Sequence, residues 1–174
     1  MLFRSTMSEN QNIRQATASA TILVVDDEPS ILKLCKTMLE GAGFSVLQAD
    51  GSSDALRICA EHKGPIDLLL TDLILPPPGF QLAFGSNPFP HVNGLELAVR
   101  AATTRKGLHV ILMSGNPDKD LVSHGIKRGM LPFLGKPFEQ ERLIHLVQDV
   151  LAQPASLLEV SGRAKAANDD EWFG

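Results

Sequence analysis

Short, wholly apolar runs alternate along this chain with longer stretches in which apolar residues recur every three or four positions. Thr21 to Val25 is the first run, β-branched and Leu throughout, as a strand buried on both faces requires. The chemistry then changes abruptly to Asp26-Asp27-Glu28-Pro29, and Pro at a first helical position opens a helix carrying Ile31, Leu34, Cys35, Met38 and Leu39. Gly41-Ala42-Gly43 stops it, and Phe44 to Leu47 reads as a second strand. A helix from about Ser52 to Glu61 turns Ala55, Leu56, Cys59 and Ala60 inward and ends near Gly64-Pro65. Residues 66–71 are a third strand, tipped by Asp72. The Pro- and Gly-rich stretch that follows excludes a long helix or a central strand and reads as a loop. Asn93 is a fair N-cap for a helix from Gly94 to about Arg105, with Leu95, Ala98, Ala101 and Ala102 inward. Leu108 to Met113 is a fourth strand, and residues 118–129 a weaker helix resting on Leu121, Val122 and Ile126. A short fifth strand, Leu131 to Leu134, precedes a last amphipathic helix from Phe138 to Leu151, built on Leu143, Ile144, Leu146, Val147 and Val150.

Strand and helix thus alternate five times, which predicts an α/β fold: a parallel sheet with right-handed crossovers and helices on both faces. Ligands of such sheets sit at the C-terminal strand ends. Four of the predicted strands end there in polar chemistry: the acid pair Asp26 and Asp27, the acid Asp72, the hydroxyl of Ser114, and the amine of Lys136.

Composition narrows the setting. With 174 residues the chain is one domain with tails, or at most a domain and a half, and 44% hydrophobic and 21% charged residues are globular values. A net charge of -4 without any basic run argues against a nucleic-acid surface. Cys35 and Cys59 both fall in apolar helical patterns, so buried free thiols in a reducing, cytoplasmic setting are expected. No window approaches the roughly 20 apolar residues of a membrane span, and no signal-peptide core is found at the start. Residues 1–20 read as a flexible polar arm, and 153–174 as a disordered tail too short for an effector domain.

Carboxylates converging without Cys or His ligands favour a hard, oxygen-loving cation, magnesium or manganese in its place. A carboxylate beside such an ion can act as a nucleophile and form an aspartyl-phosphate. A lysine and a serine hydroxyl are suited to binding the phosphoryl oxygens. One strand-end acid alone would more often be a helix cap or a strand end; four correctly typed groups at one edge argue for a site.

The stretch from about Thr21 to Ala152 resembles the receiver domain of two-component response regulators. The resemblance is carried by Ile22-Leu23-Val24-Val25-Asp26-Asp27-Glu28-Pro29, Asp67-Leu68-Leu69-Leu70-Thr71-Asp72, Pro90-His91-Val92-Asn93-Gly94-Leu95-Glu96-Leu97, Ile111-Leu112-Met113-Ser114-Gly115 and Leu134-Gly135-Lys136-Pro137-Phe138. It implies the flavodoxin-like strand order 2-1-3-4-5. It implies Asp72 as phosphoacceptor, Asp26 and Asp27 as magnesium ligands with the backbone carbonyl of Ile74, and Ser114 with Lys136 as the phosphoryl-binding pair. On this resemblance Ser114 moves toward the phosphoryl group and Phe133 turns inward, reshaping the face made by the last two helices and the fifth strand. The implied partners are a histidine kinase or histidine phosphotransfer protein and a downstream protein, with homodimerisation through that same face; no nucleic acid or membrane is implied.

Three departures from the family pattern stand out. About fourteen residues, the inserted loop 77–90, separate Pro76 from the next matching turn. They bring Phe80, Phe84 and Phe89 beside the metal site, either as a flap or partner-contact surface or as a loop folded onto its own domain. Phe133 replaces the common Tyr and lacks its hydroxyl. Ile74 cannot orient a hydrolytic water, whereas Asn116 could. The five histidines, His62, His91, His109, His124 and His145, show no metal-ligand spacing and are expected at the surface, with His91 nearest the site. The leading expectation is a single-domain phosphorylation switch that is not an enzyme beyond slow self-dephosphorylation. The alternatives are a phosphorylation-independent scaffold and an Asp-based phosphatase. A phosphatase of the haloacid-dehalogenase type wants Asp-x-Asp after its first strand, which Asp26-Asp27-Glu28-Pro29 does not supply.

Overall fold

The structure is a computed structural model in which residues 20–76, 89 and 91–155 are described. The described residues form five strands, β1 (Thr21–Val25), β2 (Ser45–Ala49), β3 (Leu68–Asp72), β4 (His109–Ser114) and β5 (Phe133–Gly135). They alternate with α1 (Pro29–Gly41), α2 (Ser52–Glu61), α3 (Gly94–Thr104), α4 (Pro117–Ser123) and α5 (Gln140–Leu151). All pairings are parallel, in the order β2-β1-β3-β4-β5. The sheet, its order and its helical cover on both faces are as the alternation and the resemblance lead one to expect.

The period of two along a strand decides what each face of the sheet buries. Leu23, Val25, Leu69, Val110 and Leu112 point to one side, where they pack with Ala55, Leu56 and Cys59 of α2, Leu97, Ala98 and Ala101 of α3, and Leu121 of α4. Ile22, Val24, Leu68, Leu70, Ile111 and Met113 point to the other, against Cys35 and Leu39 of α1 and Leu143, Val147 and Val150 of α5. Both cysteines are free and buried.

Several boundaries differ from the sequence reading. The helix expected over 118–129 stops at Ser123, because Gly125 and Gly129 adopt positive φ (65° and 82°), a left-handed backbone that ends a helical run. Val122 therefore faces solvent at 80% exposure rather than the core, while Ile126 is buried from the loop beyond. In α3 Leu97 joins Ala98 and Ala101 inward, with Leu95 only half-buried, while Leu34 of α1 and Ala60 of α2 are exposed. β2 runs to Ala49, β3 begins at Leu68 after Ile66 and Asp67, and β5 starts two residues later than expected, at Phe133. The arm over 1–20, except Ala20, the inserted loop except Phe89, and the tail from residue 156 lie outside the described residues. Phe89 is half-buried and packs against the core cluster that holds Leu97 and Leu112.

Candidate functional site

Register places the polar strand ends side by side. Val25 pairs with Thr71, so Asp26 and Asp72, each one residue further on, stand level at the tips of β1 and β3. Asp72 pairs with Met113, and Ser114 with Gly135, which sets Ser114 and then Lys136 one step further out along the same edge. The Lys136 side chain reaches back across β4 to both acids: Nζ donates to Asp26 Oδ2 at 2.5 Å and to Asp72 Oδ2 at 2.7 Å.

The two acids are held in the same way. Asp26 Oδ1 accepts from the Glu28 amide at 2.9 Å, and Asp72 Oδ1 accepts from the Ile74 amide at 2.9 Å. Each is an Asx turn, in which a carboxylate binds the backbone two residues on and so fixes its own direction. One oxygen of each acid is thus tied to backbone and the other faces Lys136. Asp27 is exposed beside them, and ligand atoms of Asp26, Asp27 and Asp72 lie within 4.8 Å of one another. Among the described residues this is the group of acids able to hold a metal ion.

Electrostatics follow from the crowding. Burial pushes the Asp26 carboxyl above its ordinary range, Lys136 and the Glu28 amide pull it back, and the charge of Asp72 adds to the rise. Burial would lower Lys136, but its bonds to Asp26 and Asp72 outweigh this and hold the ammonium above its usual value. Three carboxylates against one ammonium leave two negative charges, which a divalent cation would cancel. An all-oxygen donor set with that residual charge fits a magnesium-class ion. Cys35, near Asp26, is pushed up to about 12 by burial and then by that carboxylate's charge, so it is an inert thiol.

The other predicted site residues are placed differently. Ser114 is fully buried, and its Oγ accepts from the Asn116 amide at 2.9 Å and donates to the Asp120 carboxylate of α4. The Asn116 side chain is exposed and Ile74 is 45% exposed. Phe133 is half-buried against the core cluster that also holds Leu121 and Ile126. The histidines are less uniformly superficial than expected. His91 Nδ1 lies 3.2 Å from the buried Ser52 hydroxyl, His109 Nδ1 and Nε2 lie 3.2 Å and 2.6 Å from the carbonyl oxygens of Asp67 and Gln153, and His124 Nδ1 meets the Asp120 carbonyl.

Sequence reasoning missed three contributors. Asp120 has no periodic relation to Ser114, six residues away, and only the turn at Pro117 brings them together. Ser52 reads simply as the start of a helix, yet its hydroxyl also accepts from the Val92 amide at 2.8 Å. Gly94 reads as an unremarkable first residue of α3. Its backbone lies so near β3 that a Cβ there would stand 2.0 Å from the Asp72 carbonyl oxygen. Gly at this position was visible in the sequence; the reason for it was not.

Comparison with known proteins agrees with this arrangement. A family model described as the response regulator receiver domain matches residues 22–148. The chain is 33% identical over 131 residues to the two-component response regulator ARR11 of Arabidopsis thaliana, covering 75% of this chain and 22% of that protein. It is 26% identical over 153 residues to the transcriptional regulatory protein GlrR of Escherichia coli (strain K12), covering 88% of this chain and 29% of that one. The chain therefore spans less than a third of the length of these curated relatives. Among solved structures, a response regulator receiver domain protein from Clostridium thermocellum superposes with a TM-score of 0.60 at 28% identity, over 76% of this chain and 94% of that one. Sheet order, strand-end chemistry and family match all point the same way, and the chain belongs to the response regulator receiver domain family.

Proposed function

We propose that the chain is a phosphorylation switch that accepts a phosphoryl group on Asp72 from a histidine kinase or a histidine phosphotransfer protein. The observation that carries this reading is the single ammonium of Lys136 bonded at once to Asp26 and Asp72, with Asp27 alongside. Asp26, Asp27, Asp72 and the Ile74 carbonyl would hold magnesium, which when bound neutralises the acids and the incoming phosphoryl oxygens. An Asp72 carboxylate oxygen bonds to phosphorus as the bond from phosphorus to the donor's imidazole nitrogen breaks. The electron pair stays with that imidazole, which takes a proton from solvent. Lys136 shifts its bond from the Asp72 carboxylate to the phosphoryl oxygens, and Ser114 supplies a second donor.

The chain acts on itself and is not a turnover enzyme; the aspartyl-phosphate is lost slowly, with Asn116 better suited than Ile74 to orient water. The output is a change on the face formed by α4, β5 and α5, where Phe133 lies, read by a partner protein or a second copy in the cytoplasm. Among the described residues no helix is long and apolar enough to cross a membrane. Incubation with acetyl phosphate and magnesium tests the reading. A base-labile adduct of one phosphoryl group, lost in Asp72→Asn and in the presence of a chelator, supports it. An adduct that survives Asp72→Asn, or steady phosphate release without an adduct, overturns it.

A further inference from the structure

The Ser114 hydroxyl has one proton to give, and in this structure it gives it to Asp120. Its oxygen is at the same time occupied by the Asn116 amide. A phosphoryl oxygen accepts hydrogen bonds and donates none, so the hydroxyl can bind it only by turning that one proton away from Asp120. Ser114 is fully buried and Asp120 is half-buried, so the bond between them is sheltered from water. Hydrogen bonds to a charged acceptor are also about twice as strong as neutral ones.

We propose that Asp120 is a positioning residue which holds Ser114 in the unphosphorylated arrangement and so sets the free energy that phosphorylation must overcome. This rests on the phosphoacceptor reading of Asp72 given above. Release of Ser114 leaves the Asp120 carboxylate without that donor, and the penalty falls on the activated state alone. The backbone of Asp120 is engaged separately, since its amide donates to the Asn116 carbonyl and its carbonyl accepts from Ser123 Oγ and the His124 amide. The side chain can therefore be altered while those helix contacts remain. Leu121, the next residue, belongs to the core cluster against which Phe133 packs. A movement of α4 on release of Asp120 thus reaches the surface of Phe133.

The test uses beryllium trifluoride with magnesium, a stable mimic of the phosphoryl group, titrated calorimetrically into the full chain. Wild type, Asp120→Ala, Asp120→Asn, Ser114→Ala and the Asp120→Ala/Ser114→Ala double variant are compared. Loss of a charge-assisted hydrogen bond predicts that Asp120→Ala binds the mimic about tenfold more tightly than wild type. Asp120→Asn, which still accepts but carries no charge, falls between. In the Ser114→Ala background the Asp120→Ala gain disappears, because there is no hydroxyl left to release. A gain that persists without Ser114 marks a general effect of removing a negative charge and overturns the proposal. Equal affinities of wild type and Asp120→Ala overturn it while leaving the phosphoacceptor reading intact. Wild type that fails to bind the mimic at all overturns the phosphoacceptor reading and this inference with it.

Discussion

Gly94 and Asp72 approach so closely that any side chain at Gly94 would overlap the Asp72 carbonyl, with Leu73 Cα a further 2.8 Å contact. The Gly94 amide also donates to the Leu73 carbonyl at 3.1 Å, so the start of α3 is pinned to the residue after the acid. Gly94→Ala must push α3 away from β3. Overpacking at a site this tight costs about 1–3 kcal/mol or somewhat more, since backbone rather than a flexible side chain has to yield. Urea unfolding should show that loss in midpoint, and phosphorylation by acetyl phosphate should slow at the same time because the new Cβ presses on the strand end that carries Asp72. A variant as stable and as fast as wild type would sink the argument.

Lys136 is the counter-charge to an acid that is 1% exposed, and its own side chain is 15% exposed. Lys136→Met leaves Asp26 and Asp72 facing each other without it. Removing one partner of a buried ion pair costs about 3–5 kcal/mol. Magnesium should recover part of the loss, so the variant's thermal midpoint rises more on adding magnesium than that of wild type. The rate of phosphorylation should fall about 10²-fold even with magnesium present, as for other donors to developing phosphoryl or oxyanion charge. Thermal melts with chelator and with magnesium, beside an acetyl phosphate time course, check both parts.

How much of this was legible in the sequence depends on how local each feature is. The strand ends were legible because Asp26, Asp72, Ser114 and Lys136 each follow an apolar run, and parallel register then aligns them without further information. The length of α4 was not, because Leu121, Val122 and Ile126 fit a helical spacing that Gly125 interrupts by its positive φ. Val122 and Leu34 read as core residues yet face outward, since an apolar side chain alone does not say which helix has a neighbour. Asp120 and Ser52 were invisible as site residues for a different reason: their partners are fixed by turns and by contacts between elements, which leave no periodic trace.

Burial pushes the Cys35 thiol up to about 12 in the fold, while in the unfolded chain a thiol ionises near its ordinary value of about 8.5. The sign follows from linkage. A group that ionises more readily when unfolded favours the unfolded state as pH rises past its unfolded pKa, so stability is level below that point and falls between it and the folded value. Urea midpoints of wild type should therefore drop more steeply from pH 8 to pH 10 than those of Cys35→Ala. At pH 8 both Cys35 and Cys59 should react slowly with a thiol reagent in the native protein and rapidly in denaturant, since burial raises both. Rapid native labelling of Cys35 would contradict the burial on which the slope depends.

The Ser52 hydroxyl ties two segments that lie forty residues apart. Fully buried at the first turn of α2, it accepts from the Val92 amide at 2.8 Å and also lies 3.2 Å from His91 Nδ1. Val92 is itself 7% exposed, so its amide has no ready substitute in water if the hydroxyl is removed. Ser52→Ala then costs about 1–3 kcal/mol, the penalty of a buried donor left without a partner. The damage should be local, because Val92 and His91 lead into Asn93, whose side chain caps α3 through the Glu96 amide at 2.9 Å. Hydrogen exchange should quicken at Val92 and over the first turn of α3, with little change in β1 and β3. Since that same turn carries Gly94 against Asp72, the variant should also accept phosphoryl groups more slowly while Asp26, Asp72 and Lys136 are untouched. Uniform acceleration of exchange across the sheet would show instead that Ser52 matters only to global stability.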